Sequence, residues 1–250
     1  MSSTTVDLAT PDGVADATLA RPEQVSAHPG VLFLMDAFGL RDTITAMAER
    51  IAAAGYVVLA PNTLYRAGRA PVAPFPDMTD PDARGAFFAA LAPARDQLSP
   101  EAIRRDGAAY LDYLESLPGV APGPLAITGY CFGGTLGWRI AADHPEQVAA
   151  LATFHAGNVV TDGPDSPHLG AGDIDAELYL AHADHDQSMS AEMITTAEHA
   201  LDAAGVTYRS EVYAGAAHGF TMADTPTYAE EAAERHVSEL FALLGRTFGR

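Results

Sequence analysis

A glycine-rich turn between an apolar run and a helical pattern constrains the fold of this chain more than any other stretch. Residues 129–134 read Gly-Tyr-Cys-Phe-Gly-Gly, after the apolar run Leu125–Thr128 and before a helical pattern over Phe132–Ala142. A sharp turn from strand to helix holds its central residue in strained backbone geometry, and a Cβ at the flanking positions would crowd it. The pattern therefore predicts a nucleophile elbow with Cys131 at its tip.

Cys131 has two interpretations when it is taken alone. Cysteine is among the residue types most often buried, so a structural role fits it about as well as a chemical one. In the elbow interpretation, its sulfur lies at a helix N-terminus, where the helix dipole favours a thiolate. The backbone N–H of Phe132 is then free to donate to an oxyanion. The rest of the chain has to decide between the two.

Acidic residues follow the elbow in the chain order that a catalytic triad on such a turn requires. The run Glu177–Ala181 predicts a strand, and residues 182–186 after it read His-Ala-Asp-His-Asp. Open α/β sheets place their sites at the carboxyl ends of strands, so this loop is the predicted source of the triad acid. Asp184 and Asp186 are both available for that role.

The same loop allows a metal site as an alternative, because imidazole and carboxylate groups are common metal ligands. Neighbouring residues of one loop rarely converge on a single ion, however, and the chain has no His-Glu-x-x-His helix. We therefore predict that the protein needs no metal and no organic cofactor.

His218 is the predicted base. It follows the predicted strand Thr207–Val212 and lies in a glycine-flanked stretch, residues 215–220, that reads Gly-Ala-Ala-His-Gly-Phe. A histidine in this position can take the proton of the nucleophile. The other histidines that we considered have ordinary settings: a Pro-Gly turn for His28, and predicted helix surfaces for His144, His199 and His236.

Apolar runs alternate with helical patterns along the whole chain. Such alternation is typical of an α/β fold with a mostly parallel central sheet and helices on both faces, and a Pro-Asp-Gly turn predicts a hairpin at its N-terminus. The predicted strands are Val6–Leu8, Ala17–Leu19, Val31–Met35, Tyr56–Ala60, Leu125–Thr128, Val148–Phe154, Glu177–Ala181 and Thr207–Val212. The predicted helices carry Ile44–Ile51 before Gly55, Ala83–Leu91, Ile103–Leu117 after Ser99, Phe132–Ala142, Met193–Ala204 and Pro226–Leu244.

Size and composition limit the setting in which the protein works. The 250 residues suit one domain, 1–250, in which the proline-rich segment 61–98 is a candidate lid. There are 33 acidic against 14 basic residues, a balance that excludes nucleic acid and anionic membranes as partners. With a single cysteine, no N-terminal signal pattern and no long apolar run, we expect a cytoplasmic protein that is a monomer or a homodimer.

Together these residues resemble the dienelactone hydrolase family of α/β-hydrolases, from about residue 31 to residue 241. The resemblance is carried by residues 35–40 after the first core strand, by residues 61–66 after the second, by the elbow, by Asp184-His185 and by Ala-His-Gly-Phe over residues 217–220. It implies an α/β-hydrolase fold and a triad of Cys131, Asp184 and His218. It also implies that the backbone N–H of Ala37 is the second oxyanion donor, beside that of Phe132.

The chain departs from that family at two places. A glutamate that modulates the ionisation of the cysteine in family members is replaced by Asp36, which is one methylene shorter. An arginine that follows the histidine and binds the substrate carboxylate is missing, since residues 221–223 read Thr-Met-Ala. Arg84 is a candidate for a partial substitute, and Phe38 and Tyr65 are candidates for the substrate pocket.

The resemblance implies hydrolysis of a small-molecule ester or lactone through a thioester acyl-enzyme. The two departures make dienelactone itself an unexpected substrate. Two alternatives come from other classes of function. One is a thiol redox sensor, although the chain has no second cysteine to resolve an oxidised Cys131. The other is a weakly active or inactive member of the family that binds a small molecule on the same fold.

Overall fold

A computed structural model of the protein describes residues 2–24 and 26–249. These residues form eight strands, six α-helices and two short 3₁₀ segments. They divide into two compact units, one with the residues up to 122 and residues 224–226, the other with residues 123–223 and those from 227 onward. The single domain over residues 1–250 stays a prediction.

Four strands build the sheet of the first unit, in the order β1-β2-β4-β3. The predicted hairpin is confirmed and is longer than predicted, with β1 at Ser2–Thr10 and β2 at Gly13–Arg21. β4 (Val57–Pro61) pairs antiparallel with β2 and parallel with β3 (Gly30–Leu34). Every residue of β3 and β4 is buried, which means that both faces of the sheet are covered there.

Three helices accompany this half of the sheet. α1 (Asp42–Ala53) packs on β2 and β4, and α3 (Pro100–Ser116) packs on β1 and β3. The predicted cap of α3 is confirmed, because the hydroxyl of Ser99 accepts a hydrogen bond from a backbone N–H of the first turn at 3.2 Å. α2 (Pro81–Arg95) gives the segment 61–98 an ordered centre, and the role of that segment as a lid stays a prediction.

The second unit contains four parallel strands in the order β5-β6-β7-β8. They are β5 (Leu125–Tyr130), β6 (Val148–Phe154), β7 (Glu177–His185) and β8 (Tyr208–Ala217). The predicted strands all exist, but β7 and β8 run four and five residues further than predicted. Since the carboxyl ends of parallel strands meet at one edge, the residues after β5, β6, β7 and β8 form one cluster.

The helices of the second unit are α4 (Phe132–Asp143), α5 (Ala191–Ala204) and α6 (Glu230–Phe248). α5 ends as predicted at Gly205, whose φ of 72° is left-handed. α6 begins four residues later than the predicted start at Pro226. The residue before the helix, Ala229, has an extended backbone, and its N–H donates to the carbonyl of Phe220 at 3.0 Å instead of joining a helix.

One histidine prediction is wrong. His236 was expected on the surface of the last helix, but it is 4% exposed. Its ring meets the ring of Phe154 edge-on, with centroids 4.7 Å apart, and its Nδ1 pairs with the carbonyl of Ala233. The helical period of α6 places residue 236 among Ala233, Val237 and Leu240, which form its buried face.

A buried histidine on β7 is expected to make the fold sensitive to acid. His182 is 4% exposed, and burial lowers the pKa of its imidazole from 6.5 to about 4. The unfolded chain therefore binds a proton at this residue at a higher pH than the folded chain, and stability is lost as the pH falls from 6.5 to about 4. We expect the free energy of unfolding to drop by about 2 kcal/mol between about pH 7 and about pH 4.5 through this group.

Urea unfolding of the native chain and of His182→Asn at both pH values measures this contribution. The variant should show a smaller drop in the free energy of unfolding than the native chain, because asparagine does not titrate. Equal drops in both proteins would contradict the assignment.

Candidate active site

The predicted turn between β5 and α4 is present, with Cys131 at its tip. Cys131 has φ 52° and ψ −118°, a backbone conformation that side chains other than glycine rarely adopt. A Cβ on Gly129 would lie 2.3 Å from the carbonyl oxygen of Gly133, and a Cβ on Gly134 would lie 2.6 Å from the Cβ of Ala156. Glycine is required at both positions because the neighbouring atoms approach so closely.

His218 connects Cys131 to an aspartate. Its Nε2 lies 3.0 Å from the sulfur of Cys131, and its Nδ1 lies 2.6 Å from Oδ2 of Asp186. The His218 side chain is 31% exposed, whereas that of Asp186 is 3% exposed. A thiol, an imidazole and a buried carboxylate are thus hydrogen-bonded in series.

Of the two aspartates considered as the triad acid, the structure brings Asp186 to His218 and not Asp184, which the family resemblance implied. β7 continues through His185, so Asp184 is still part of the strand, where its exposed side chain accepts a hydrogen bond from the backbone N–H of Gly215 at 2.8 Å. Asp186 is the first residue beyond the strand and is the one that reaches His218. A register shift between β7 and β8 falls at Asp184, between Ala183 and His185, and the sequence alone does not reveal it.

The charges in this series support each other. Burial acts to lower the pKa of His218, but the hydrogen bonds and charges of Asp186 and Cys131 outweigh it and raise that pKa to about 10. For Asp186, burial acts to raise the pKa, and the bonds from His218 and Ser188 outweigh it and lower that pKa below its ordinary value. His218 is therefore protonated at neutral pH.

Ser188 holds the carboxylate of Asp186 through the oxygen that does not bind His218. Its backbone N–H and its hydroxyl both donate to Oδ1 of Asp186, at 2.8 Å and 2.6 Å. Oδ2 is left for His218. The sequence reading did not single out Ser188, although it follows the acid by two residues, the usual spacing of a turn in which an aspartate bonds the backbone ahead of it.

His155 was also missed. It comes directly after β6, is fully buried, and its ring lies against that of His218 with centroids 5.2 Å apart. The rule that selected the aspartates and His218, a polar residue at the carboxyl end of a strand, applies to His155 as well.

Asp36 is part of a buried ion cluster in the first unit. Its carboxylate is 2% exposed and receives two bonds from the guanidinium of Arg41, at 2.7 Å and 2.9 Å. Arg41 also binds Asp224, at 2.6 Å and 3.1 Å. Burial raises the pKa of Asp36, and the charge of Arg41 opposes that shift. The sequence reading did not foresee that Arg41 would occupy both oxygens of Asp36; the effect of Asp36 on Cys131 stays a prediction.

The remaining candidates in the first unit have different environments. Phe38 packs among Phe75, Phe87 and Phe88, with ring centroids 5.0–5.7 Å away. Tyr65 is buried and donates its hydroxyl proton to Asp106 at 2.9 Å, so its hydroxyl is already used. Arg84 is exposed on α2, and Ala37 is buried in the loop after β3. Their contact with a substrate stays a prediction.

No group of three metal-binding side chains occurs within residues 2–24 and 26–249. The cluster after β7 is divided among separate partners, since His182 pairs with Ser210 while Asp184 and Asp186 bind Gly215 and His218. Over the same described part of the chain, no helix is both long and apolar enough to cross a membrane.

Known proteins resemble this chain over most of its length. A model of the dienelactone hydrolase family matches residues 15–248. A Synechocystis protein named "Putative carboxymethylenebutenolidase" is 30% identical over 229 residues, which cover 89% of each chain. The carboxymethylenebutenolidase of Rhodococcus opacus is 29% identical over 191 residues, which cover 76% of this chain and 69% of that protein.

The fold is shared with solved structures. A crystal structure from Klebsiella pneumoniae, titled "Putative Dienelactone Hydrolase", superposes with a TM-score of 0.82 over 97% of this chain and 98% of its own, at 24% identity. The predicted α/β-hydrolase fold is confirmed by this likeness. Because the family model spans residues 15–248, the chain belongs to the dienelactone hydrolase family of hydrolases.

Proposed function

We propose that the protein hydrolyses a small-molecule ester or lactone through a thioester acyl-enzyme on Cys131, with His218 as its acid and base and Asp186 as its orienting carboxylate. The observation that carries this proposal is the distance of 3.0 Å between the sulfur of Cys131 and Nε2 of His218, in series with the 2.6 Å contact to Asp186. Membership of a hydrolase family gives the reaction class.

The reaction has two halves. The thiolate of Cys131 attacks the ester carbonyl, and the protonated Nε2 of His218 gives its proton to the departing alkoxide, which leaves a thioester and a neutral ring. Neutral His218 then takes a proton from a water molecule, whose oxygen attacks the thioester. Collapse of that intermediate releases the carboxylic acid and returns the thiolate.

Asp186 keeps one tautomer of His218 throughout. Its carboxylate binds the ring at Nδ1, so Nε2 faces Cys131 and handles the proton in both halves. With two bonds from Ser188 to Oδ1, the carboxylate has a fixed orientation. This arrangement stabilises the charged ring that exists before acylation and after deacylation.

The oxyanion is assigned to two backbone N–H groups. Phe132 begins α4, so its N–H has no partner within the helix and points along the positive end of the dipole. The second donor is Ala37, as the family resemblance implies. Two such donors commonly contribute several powers of ten to acyl transfer.

The substrate is proposed to be an uncharged ester or lactone. The chain carries a net charge of −19 and has Thr221, Met222 and Ala223 after the catalytic histidine, without a cation. Arg41, which is close in sequence to Asp36, is already bound by two carboxylates. Arg84 is the exposed guanidinium that we propose as a weak contact, and Phe38 is proposed to contact apolar substituents.

Trapping of the acyl-enzyme tests the proposal. After mixing with p-nitrophenyl acetate and a rapid acid quench, the native protein should gain the mass of one acetyl group, and the modified peptide should contain Cys131. Cys131→Ala should remove both the adduct and the turnover, with a loss in kcat of about 10³-fold or more. Cys131→Ser is the matched variant and should keep a small fraction of the activity, because its hydroxyl can still transfer a proton to His218 and attack the ester.

The outcomes separate this proposal from the two alternatives. Ester turnover that survives Cys131→Ala would exclude a cysteine nucleophile. A binding protein would show neither adduct nor turnover with any ester. A redox sensor would show a thiol that responds to peroxide while ester turnover is absent.

A further inference from the structure

His155 occupies a strained position that the reaction described above does not explain. It has φ 41°, is 0% exposed, and its backbone N–H donates to the carbonyl of Ala181 at 2.7 Å. A left-handed backbone at a bulky side chain is strained and persists only where its surroundings fix it. Such residues concentrate at functional sites, which suggests that the His155 side chain has a role in this one.

The side chain of His155 contacts three residues of the turn after β8, namely His218, Phe220 and Thr221. Its face-to-edge contact with His218 has centroids 5.2 Å apart and an interplanar angle of 64°. A second contact of this kind joins it to Phe220, at 5.0 Å and 78°. Its Nε2 pairs with the hydroxyl of Thr221 at 2.7 Å. Since Phe220 and Thr221 follow His218 by two and three residues, His155 fixes the whole turn that carries His218.

Burial and the neighbouring charges keep the imidazole of His155 neutral. Burial lowers the pKa of its imidazole well below 6.5, and the positive charges of His218 and of His236 on α6 act in the same direction. The other ring nearby belongs to Tyr130 at the end of β5, which is 6.3 Å away. His218 meets Asp186 and Cys131 on its remaining sides. A neutral aromatic ring next to protonated His218 adds packing without electrostatic repulsion.

Nδ1 of His155 is buried and has no hydrogen-bond partner among the described residues. Burying an unpaired ring nitrogen has a cost in free energy. A phenylalanine at this position would avoid that cost, but it could not bind Thr221. The hydrogen bond to Thr221 and the ring contact with His218 are therefore the two properties that histidine combines here.

We propose that His155 is a positioning residue that fixes the ring plane of His218, so that Nε2 faces Cys131 and Nδ1 faces Asp186 at the same time. This role rests on the proposed function of His218 as the acid and base. His155 acts through His218 and through the turn at Thr221, and it does not contact the reacting atoms itself.

Three variants test the role from both partners. His155→Asn removes the ring, and asparagine tolerates a left-handed backbone. Thr221→Val removes the hydrogen bond to His155 at nearly constant side-chain volume. Thr221→Ser keeps the hydroxyl and serves as the conservative variant. We expect His155→Asn to lower kcat about 10- to 100-fold and Thr221→Val to lower it several-fold, with KM within about threefold of the native value. Thr221→Ser should recover most of the native kcat.

The titration of His218 followed by NMR of labelled histidine gives a readout that needs no substrate. A misplaced ring loses part of its bonds to Asp186 and Cys131, so its pKa should move from about 10 toward the ordinary value of 6.5 in His155→Asn. His182→Asn is the matched control, because His182 is also buried and also pairs its Nε2 with a hydroxyl, that of Ser210. That control should change stability and leave the titration of His218 unchanged.

An unchanged titration of His218 in folded His155→Asn would overturn the proposal, as would an equal shift in His182→Asn. If His155→Asn does not fold, an unchanged kcat and titration in Thr221→Val would overturn it instead. Failure of the proposed function looks different, because the native protein would then lack ester turnover while the NMR comparison would still report whether His155 holds the ring.

Discussion

Asp186→Asn is expected to lower kcat for ester hydrolysis by about 10³-fold, whereas Asp184→Asn is expected to leave it within about threefold of the native value. An asparagine at 186 keeps the shape of the side chain, but it no longer carries the negative charge that stabilises protonated His218. It can also donate its NH₂ group to Nδ1, which favours the tautomer with the ring proton on Nε2, so that Nε2 cannot take a proton from Cys131 or from water. The measurement is kcat and KM of both variants on one uncharged ester.

Asp184→Asn is a close control because it makes the same chemical change two residues away. Its amide oxygen can still accept the hydrogen bond from Gly215 that Asp184 accepts at 2.8 Å. The opposite ranking, a large loss at 184 and a small loss at 186, would show that the carboxylate near His218 in the structure is not the one that acts. Similar losses in both variants would point to general disruption of the loop after β7.

Gly129→Ala is expected to lower the free energy of unfolding by about 3 kcal/mol or more, which is a large part of the stability of a typical domain. The added Cβ would lie 2.3 Å from the carbonyl oxygen of Gly133 and 2.8 Å from Cα of Gly134. Both neighbours are backbone atoms, so no side chain can rotate away and the start of α4 has to move. The single tryptophan, Trp138, is buried on α4 and can report urea unfolding of this region by its fluorescence.

Gly85→Ala is the matched variant. Gly85 lies exposed in α2, where a Cβ meets nothing within 4 Å. Alanine in a helix interior should raise the free energy of unfolding by about 0.5–1 kcal/mol. A Gly129→Ala protein as stable and as active as the native one would contradict the tight packing of the elbow.

The elements of this fold could be predicted from the sequence because their signals are local. Buried parallel strands are short apolar runs, and the caps at Ser99 and Gly205 are single residues with a defined backbone preference. The elbow was predicted for a similar reason, since its glycines reflect a clash within six consecutive residues. Predicted and observed strands agree in number and order.

The errors concern features that depend on partners distant in the chain. β7 extends to His185 because β8 pairs with it across a register shift, and that extension moves Asp184 away from His218 and brings Asp186 to it. α6 begins late because the backbone N–H of Ala229 donates to the carbonyl of Phe220, in the turn after β8. Local patterns contain none of this information.

His155 was not among the predicted site residues. It directly follows a correctly predicted strand, but a single buried histidine has no sequence motif. Its importance becomes apparent through the left-handed φ and the contacts with His218 and Thr221. A search for polar residues after every predicted strand would have included it.

The backbone conformation at Cys131 places stability and chemistry in opposition at one residue. With φ 52° the position suits glycine better than any other residue, so a cysteine there holds the folded state about 1–3 kcal/mol above what the same turn could reach. Selection for thermal stability alone would therefore favour the replacement of Cys131 by glycine. Such a variant would be more stable but would lack the thiol and with it the proposed activity. A selection for stability in this chain therefore has to be combined with a screen for turnover.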